Sequence, residues 1–165
     1  MGAIMNTLLL AAVLLFPTVH GSTVATKDVM LPHDLGGKAN IVIVSFSEDQ
    51  RVMADTWLPL VKNIAEQPDV QYREVITPSL TGWLTENTVD AVFSFRERDP
   101  GVYEKTVTVY PNREALVRGL HLPTTHTIYT LLLDQSGYVR WRADGSMTPL
   151  EGEQLREAVT ALLKS

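Results

Sequence analysis

The sequence contains no cysteine among its 165 residues. A disulfide, a thiol nucleophile, a cysteine-ligated zinc or iron–sulfur site and a thioether-bound haem all require cysteine sulfur, so each of them is excluded. A lipid-modified N-terminal cysteine is excluded for the same reason. The protein therefore acts without thiol–disulfide chemistry.

Positive charge is scarce and scattered. Lys and Arg number 14 against 19 Asp and Glu, which gives a formal net charge of −5. The densest basic segment holds Arg96 and Arg98, and Glu97 lies between them. Binding to nucleic-acid phosphates requires a clustered basic face, so the sequence predicts no nucleic-acid partner. The length fits one globular domain.

Charged side chains are missing altogether from residues 1–21. Within that segment, residues 8–16 form an uninterrupted apolar run, which is too short for a bilayer span of about 20 residues. We therefore predict a signal peptide over residues 1–21 and a folded domain over residues 22–165, located in the periplasm or outside the cell. The segment before the run has no Lys or Arg, so an uncleaved membrane anchor and a mistaken start codon are the alternatives.

The remaining chain alternates between strand and helix patterns. Runs rich in β-branched residues predict strands at residues 40–46, 70–76, 106–110, 128–133 and 138–141. Apolar residues at three- and four-residue steps predict helices at residues 48–66, 79–95, 112–120 and 151–164. Residues 88–95 fit a strand equally well, and Pro59 predicts a kink in the first helix. This order predicts a layered α/β fold, with parallel strands first, a β-hairpin later and helices on both faces of the sheet.

Residues 46–65 resemble, without gaps, the first strand end and the kinked active-site helix of thioredoxins, and Pro59 falls where that helix kinks. On this alignment the two redox cysteines of the family would stand at Arg51 and Ala54. Tyr129 stands at the position of the family's cis-proline, just before a segment that looks like the thioredoxin hairpin. The resemblance implies a thioredoxin-like fold, with a central mixed sheet and helices on both faces, from which the redox pair has been lost.

Further segments narrow the resemblance. Residues 31–38 are similar to the lead-in of peroxiredoxin-type and exported thioredoxin-like domains. A second likeness is carried above all by residues 137–149, where a Val-Arg-Trp strand follows a Leu-Asp turn, and also by residues 46–47, Trp57 and residues 129–134. These segments are similar to the assembly factor for the membrane sector of mitochondrial ATP synthase and its bacterial relatives. That resemblance implies a non-redox protein that escorts a hydrophobic polypeptide, a subunit of a membrane complex.

The other candidates for catalysis or metal binding do not form a recognisable site. His121 and His126 are close in sequence, but Pro123 breaks any helix that would place both on one face, which favours solvated loop histidines. Helix capping accounts for Glu48 and Asp49 at the start of the first helix. The sequence has neither a Gly-x-Ser-x-Gly nucleophile elbow nor a complete phosphate-binding glycine loop. No catalytic residue, metal or cofactor is predicted, and the pattern favours a protein that is not an enzyme.

The resemblance to thioredoxins places a polypeptide-binding groove at the start of the first helix. We predict that this groove is lined by Asp49, Gln50, Arg51, Thr127 and Tyr129. A guanidinium and a phenol at this point would grip a carboxylate or a peptide backbone, and a bound segment would add as a strand beside residues 127–130. The alternative for Arg51 is a surface arginine that covers an aromatic ring.

Two other functions stay open at this point. One is a small-ligand-binding module, or a thiol-independent enzyme, derived from a peroxiredoxin-like ancestor. The other is a structural interaction domain held at the membrane by an uncleaved segment over residues 8–16. The leading prediction is an exported, non-redox assembly or escort factor, and the sequence leaves its oligomeric state open.

Overall fold

The computed structural model describes residues 13–23, 27–77, 105–109 and 113–165. The strands in these ranges are β1 (Val19–Thr23), β2 (Asp28–Leu31), β3 (Ala39–Ser45), β4 (Val70–Ile76), β5 (Thr106–Val109), β6 (Tyr129–Asp134) and β7 (Val139–Asp144). The helices are α1 (Arg51–Ile64), α2 (Arg113–Gly119) and α3 (Pro149–Lys164), and a short 3-10 helix, Glu48–Gln50, leads into α1. The predicted helix at residues 79–95 lies outside the described residues. None of the helices described is long and apolar enough to cross a membrane.

The strands form one mixed sheet in the order β2-β1-β5-β4-β3-β6-β7. β3 runs parallel to β4, and β4 runs parallel to β5. The other neighbours, including β3 with β6 and β6 with β7, are antiparallel. These pairings agree with the predicted parallel half and the later hairpin. A central parallel strand needs cover on both of its faces, and every residue of β3 is buried.

Side chains alternate between the two faces of β3 and divide the core into two parts. On one face, Ile41 belongs to a cluster with Trp57 of α1 and Leu155 of α3. On the other face, Val42 belongs to a cluster with Leu116 of α2. Helices therefore cover both faces of the sheet, as predicted.

The segment before β2 is part of the sheet and of the core. β1 pairs with both β2 and β5, while Phe16 and Val19 are 1% and 0% exposed. Leu15 forms an isolated bridge with Tyr138, next to the turn between β6 and β7. The predicted boundary after Gly21 falls inside β1, so cleavage there would divide a strand and remove two core side chains. Cleavage itself stays a prediction.

The start of α3 and the end of β7 differ from the sequence prediction for identifiable reasons. α3 begins at Pro149 and not at residue 151, because Thr148 caps it. The Thr148 hydroxyl accepts a hydrogen bond from the Glu151 amide at 3.3 Å, and the Thr148 amide donates to the Glu151 carboxylate at 3.0 Å. β7 runs on to Asp144, since its pairing with β6 continues that far. The hairpin of β1 and β2 was missed entirely by the sequence analysis.

Candidate polypeptide-binding site

The start of α1 and the loop before β6 meet at one end of the sheet. β3 and β6 are antiparallel neighbours, with Val44 opposite Tyr129. The residues that follow β3 therefore lie beside those that precede β6. All the predicted site residues come from these two segments, so the strand order brings the segments together.

Gln50 joins the two segments from the inside. Its side-chain oxygen accepts a hydrogen bond from the Phe46 amide at 2.8 Å, and its Nε2 donates to the Thr125 carbonyl at 2.7 Å. Gln50 is only 3% exposed. Both ends of its amide are occupied by the protein itself, so Gln50 positions the site and is not presented to a partner.

Tyr129 is also turned inward. It is 2% exposed, and its hydroxyl donates to the Thr124 carbonyl at 2.9 Å. Its ring packs edge-on against Phe46, with the ring centroids 6.2 Å apart. The phenol thus holds the loop before β6 in place and is not available at the surface to grip a peptide, contrary to the role suggested by the sequence.

In the sequence alignment with thioredoxins, Arg51 and Ala54 take the positions of the two redox cysteines. Nε of Arg51 lies 3.9 Å from the carboxylate of Asp55, and these side chains are 33% and 45% exposed. Such an exposed pair on one helix contributes only about 0.3–0.5 kcal/mol. Ala54 is buried in the core. The cavity between Arg51 and Glu74 has a volume of about 10 Å³, which leaves room for one water molecule at most and none for a small ligand.

The outward-facing part of this site includes one strongly exposed apolar side chain. Val52, between the two positions of the thioredoxin cysteines, is 74% exposed. Met53 is half-buried, and its sulfur lies 3.8 Å from the hydroxyl of Thr127. We define the α1 surface as Asp49, Arg51, Val52, Met53 and Thr127. The sequence analysis missed Val52. Its position outside the three- and four-residue spacing of the buried α1 residues is the signal that would have identified it as an exposed apolar residue.

Thr127 is a half-buried residue just before β6. Among the described residues, neither its N–H nor its C=O takes part in a hydrogen bond. The next carbonyl along the chain, that of Ile128, already accepts from the Gly145 amide at 3.0 Å. β-strand addition needs an unpaired donor and acceptor of this kind beside an existing strand. β6 itself is flanked by β3 and β7, so an added strand would have to pair with the segment before β6, at Thr127.

α1 is fixed against the loop that follows β7. The indole N–H of Trp57 donates to the Gly145 carbonyl at 2.8 Å. One residue earlier, the Thr56 hydroxyl accepts from the Met147 amide, also at 2.8 Å. These bonds make α1 a rigid platform for the residues at its start, as a binding surface requires.

The histidines do not assemble into a site. His121 and His126 are both exposed, which fits the interpretation of solvated loop residues. Within the part of the chain that the structure describes, no group of three or more His, Asp and Glu residues is arranged to hold a metal ion. The α1 surface therefore offers an exposed apolar side chain, a guanidinium, the carboxylate of Asp49 and a backbone segment at Thr127 that is unpaired among the described residues.

Comparison with known families identifies a match over most of the chain. The model of the family described as ATP10 protein, whose members are ATP synthase assembly factors, matches residues 10–162. No curated protein matches the chain by sequence.

Several solved structures share the fold. BsSco, described as a member of the Sco family of cytochrome c oxidase assembly proteins, has a TM-score of 0.64 at 14% identity, over 93% of this chain and 96% of its own. The exposed lipoprotein thioredoxin Etrx1 of Streptococcus pneumoniae has a TM-score of 0.59 at 17% identity, over 90% and 99%. A thioredoxin family thiol:disulfide interchange protein of Chlorobium tepidum has a TM-score of 0.59 at 18% identity, over 93% and 98%. These likenesses show a thioredoxin-like fold, as predicted.

Proposed function

The chain belongs to the ATP10 protein family, and from this premise we propose that it is a non-redox assembly factor that binds a membrane subunit of ATP synthase through its α1 surface. Family and fold together give an assembly-related, thioredoxin-like protein. The partner's identity and the use of the α1 surface are the proposal. The observation that carries it is the exposed Val52 next in sequence to Met53, whose sulfur contacts Thr127, a residue with no backbone hydrogen bond among the described residues.

The α1 surface offers an apolar segment two kinds of contact. Val52 supplies apolar area, whose burial contributes about 25 cal/mol per Å². Met53 is flexible and polarisable, which suits partner side chains of differing shape. The N–H and C=O of Thr127 would pair with the partner's backbone, whatever its side chains are. A membrane segment outside the bilayer has both exposed apolar side chains and unpaired backbone groups, so it is the partner that these contacts favour.

The small-ligand alternative receives less support at this location. The cavity beneath the start of α1 holds about 10 Å³, far below the several hundred Å³ typical of ligand pockets. The buried Gln50 and Tyr129 further fill the place where the sequence suggested a groove. A polypeptide lying across the outside of α1 needs no such cavity.

The proposal is tested by site-specific photocrosslinking in host membranes. A photoreactive amino acid replaces Val52 in the full chain, and crosslinked products are identified by mass spectrometry. We expect crosslinks to an ATP synthase membrane subunit. The charged variant Val52→Asp, placed on an exposed site, should reduce co-purification of that subunit at least tenfold without lowering the thermal midpoint.

Met30 provides the control. It is an exposed apolar side chain outside residues 1–21, and it lies in β2 at the edge of the sheet, with three strands between β2 and β3. Crosslinks from position 30 should not include the subunit, and Met30→Asp should leave co-purification unchanged. Equal crosslinking from both positions, or unchanged co-purification with Val52→Asp, would contradict the role of the α1 surface. Crosslinking to other proteins without any ATP synthase subunit would contradict the proposed partner.

Export is a further part of the proposal. It is supported by the apolar run over residues 8–16 and by the lack of charge in residues 1–21. Cell fractionation, combined with the intact mass of the purified protein, reports the compartment and the N-terminal residue. Recovery of the chain from the cytoplasm alone would contradict export.

A further inference from the structure

Three positive side chains gather at the end of the sheet opposite the α1 surface. Lys27 directly precedes β2, Arg73 lies in β4 and Lys105 directly precedes β5. β1, β5 and β4 are neighbours, so the ends of these strands lie together. The Thr23 amide bonds to the Lys27 carbonyl at 2.9 Å, and the Glu74 amide bonds to the Lys105 carbonyl at 3.0 Å. The three cations line one cavity of about 600 Å³, a size usual for small-molecule sites.

Arg73 is half-buried, and its counter-charge is missing from the described residues. One of its terminal nitrogens donates to the Tyr72 carbonyl at 2.8 Å. In the ranges that the structure describes, no carboxylate lies within 4.0 Å of its guanidinium. Burial lowers the pKa of Arg73. A guanidinium has five N–H donors, and a charge partly withdrawn from water is costly unless an anion pairs with it.

Two carboxylates also line the cavity, but one is already engaged. Oδ2 of Asp34 accepts from the Met30 amide at 2.7 Å, and its Oδ1 lies 3.0 Å from Nδ1 of His33. These contacts, the Met30 amide first among them, lower the pKa of Asp34. Asp28 is exposed in β2. Among the described residues that line the cavity, three are cationic and two are acidic, and Lys27 is one of the charges that act on Asp34.

We propose that this cavity binds a phosphate group, held by the Arg73 guanidinium, with Lys27 and Lys105 neutralising its charge. A phosphate monoester carries more than one negative charge at neutral pH and presents three acceptor oxygens, so three cations suit it better than they suit a carboxylate. Arginine binds phosphate oxygens through two parallel hydrogen bonds, whereas lysine acts as a point charge. A free phosphate monoester and the phosphomonoester headgroup of phosphatidic acid present the same chemistry here.

The first experiment titrates the full chain with inorganic phosphate in a calorimeter. We expect saturable binding to one site and at least tenfold weaker binding by Arg73→Met. Arg73→Lys keeps the positive charge but loses the two parallel N–H donors of the guanidinium. Its affinity for phosphate should therefore lie between those of the wild type and Arg73→Met. Arg118→Met is the control, because Arg118 is exposed and already pairs with Glu114 at 3.1 Å. Its affinity for phosphate should equal that of the wild type.

A second experiment distinguishes the two sources of phosphate. Vesicles of phosphatidylcholine with phosphatidic acid, and vesicles of phosphatidylcholine with phosphatidylglycerol, are sedimented with the protein. Sedimentation that requires phosphatidic acid and is reversed by inorganic phosphate assigns the site to a headgroup. Phosphate binding without sedimentation assigns it to a free phosphate compound.

Three results would overturn the site. They are the lack of saturable phosphate binding by the wild type, unchanged affinity of Arg73→Met, and an equal loss in Arg73→Met and Arg118→Met. Circular dichroism establishes that each variant is folded. Lys27 is exposed, so Lys27→Met takes the place of Arg73→Met if the latter does not fold.

Discussion

The hydroxyl of Thr130 is buried in β6 without a hydrogen-bond partner among the described residues. An unpaired polar atom in the core costs about 1–3 kcal/mol. Thr130→Val keeps the shape of the side chain and removes the hydroxyl. We therefore expect this variant to raise the free energy of unfolding by about 1 kcal/mol, measured by urea denaturation.

Thr106 is the control for that substitution. It is 1% exposed, but its hydroxyl donates to the Glu74 carboxylate at 3.3 Å. Thr106→Val should lower the free energy of unfolding by about 1–3 kcal/mol, because a buried carboxylate loses a donor. If Thr130→Val were destabilising to the same degree, its hydroxyl would have to be paired in solution.

The two side-chain hydrogen bonds of Gln50, which connect the start of α1 with the loop before β6, can be tested by substitution. Gln50→Ala removes two buried hydrogen bonds, so we expect the free energy of unfolding to fall by about 1–3 kcal/mol. Crosslinking from position 52 should fall too, although Gln50 does not face the partner. Urea denaturation and crosslink yield measure the two effects. Gln135→Ala lies in an exposed turn and should change neither quantity. If Gln50→Ala were as stable as the wild type, the two hydrogen bonds would not hold the segments together.

For single side chains, sequence reasoning predicted which residues lie together at one end of the sheet but not the direction in which each side chain points. The thioredoxin alignment places residues 49–51 beside residues 127–129, and the pairing of β3 with β6 has this effect. The inward turn of Gln50 depends on the Thr125 carbonyl, 75 residues further along the chain. No local pattern encodes such a contact. An alignment specifies where a backbone position lies, whereas the side chain's direction depends on its distant neighbours.

The N-terminal cap of α3 sets where that helix begins. Thr148 and Glu151 form a reciprocal capping box, and removal of such a cap costs about 1 kcal/mol. We expect Thr148→Ala to lower the free energy of unfolding by about that amount, as seen in urea denaturation. Thr160→Ala is the control within the same helix, since its hydroxyl only bonds back to the Arg156 carbonyl at 2.9 Å. A loss of stability in both variants alike would argue against a specific role for the cap.

Helices and strands with strong local patterns were predicted well. The apolar spacing in α1 and the continuous apolar run in β3 both reflect burial, which their residues show. β1 and β2 were missed because His20, Gly21 and Ser22 interrupt any alternation of apolar residues. β1 depends instead on its pairing with β5, whose residues lie far away in sequence. Strands of this kind cannot be recognised from a local window.

The contribution of residues 14–21 to the whole domain can be measured directly. A chain that begins at Ser22 lacks Phe16 and Val19, each of which is buried. Burial of each such side chain contributes about 1.5–3 kcal/mol. We expect the free energy of unfolding of residues 22–165 to fall by roughly 3–6 kcal/mol relative to residues 14–165, a large part of a typical domain's stability. Equal urea midpoints would show that the segment is dispensable.

The overall architecture was predictable because alternation of strand and helix patterns allows few arrangements. The order of β3, β4 and β5 and the closing hairpin follow from that alternation and from short connections. The cationic cavity was not predictable, since Lys27, Arg73 and Lys105 are far apart in sequence. Only the placement of β1 between β2 and β5 brings them together.

The route of residues 14–16 determines how the molecule is oriented when it is held from its N-terminal side. The Val139 amide donates to the Leu14 carbonyl at 2.8 Å, and the Phe16 amide donates to the Gly137 carbonyl at 2.9 Å, both at the turn between β6 and β7. The six residues of β6, about 20 Å, separate that turn from the loop that carries Thr127. A tether before residue 13 would thus attach to the molecule beside the turn between β6 and β7. The α1 surface would then face away from the anchor. Only a polypeptide that stands clear of the bilayer would then come within its reach.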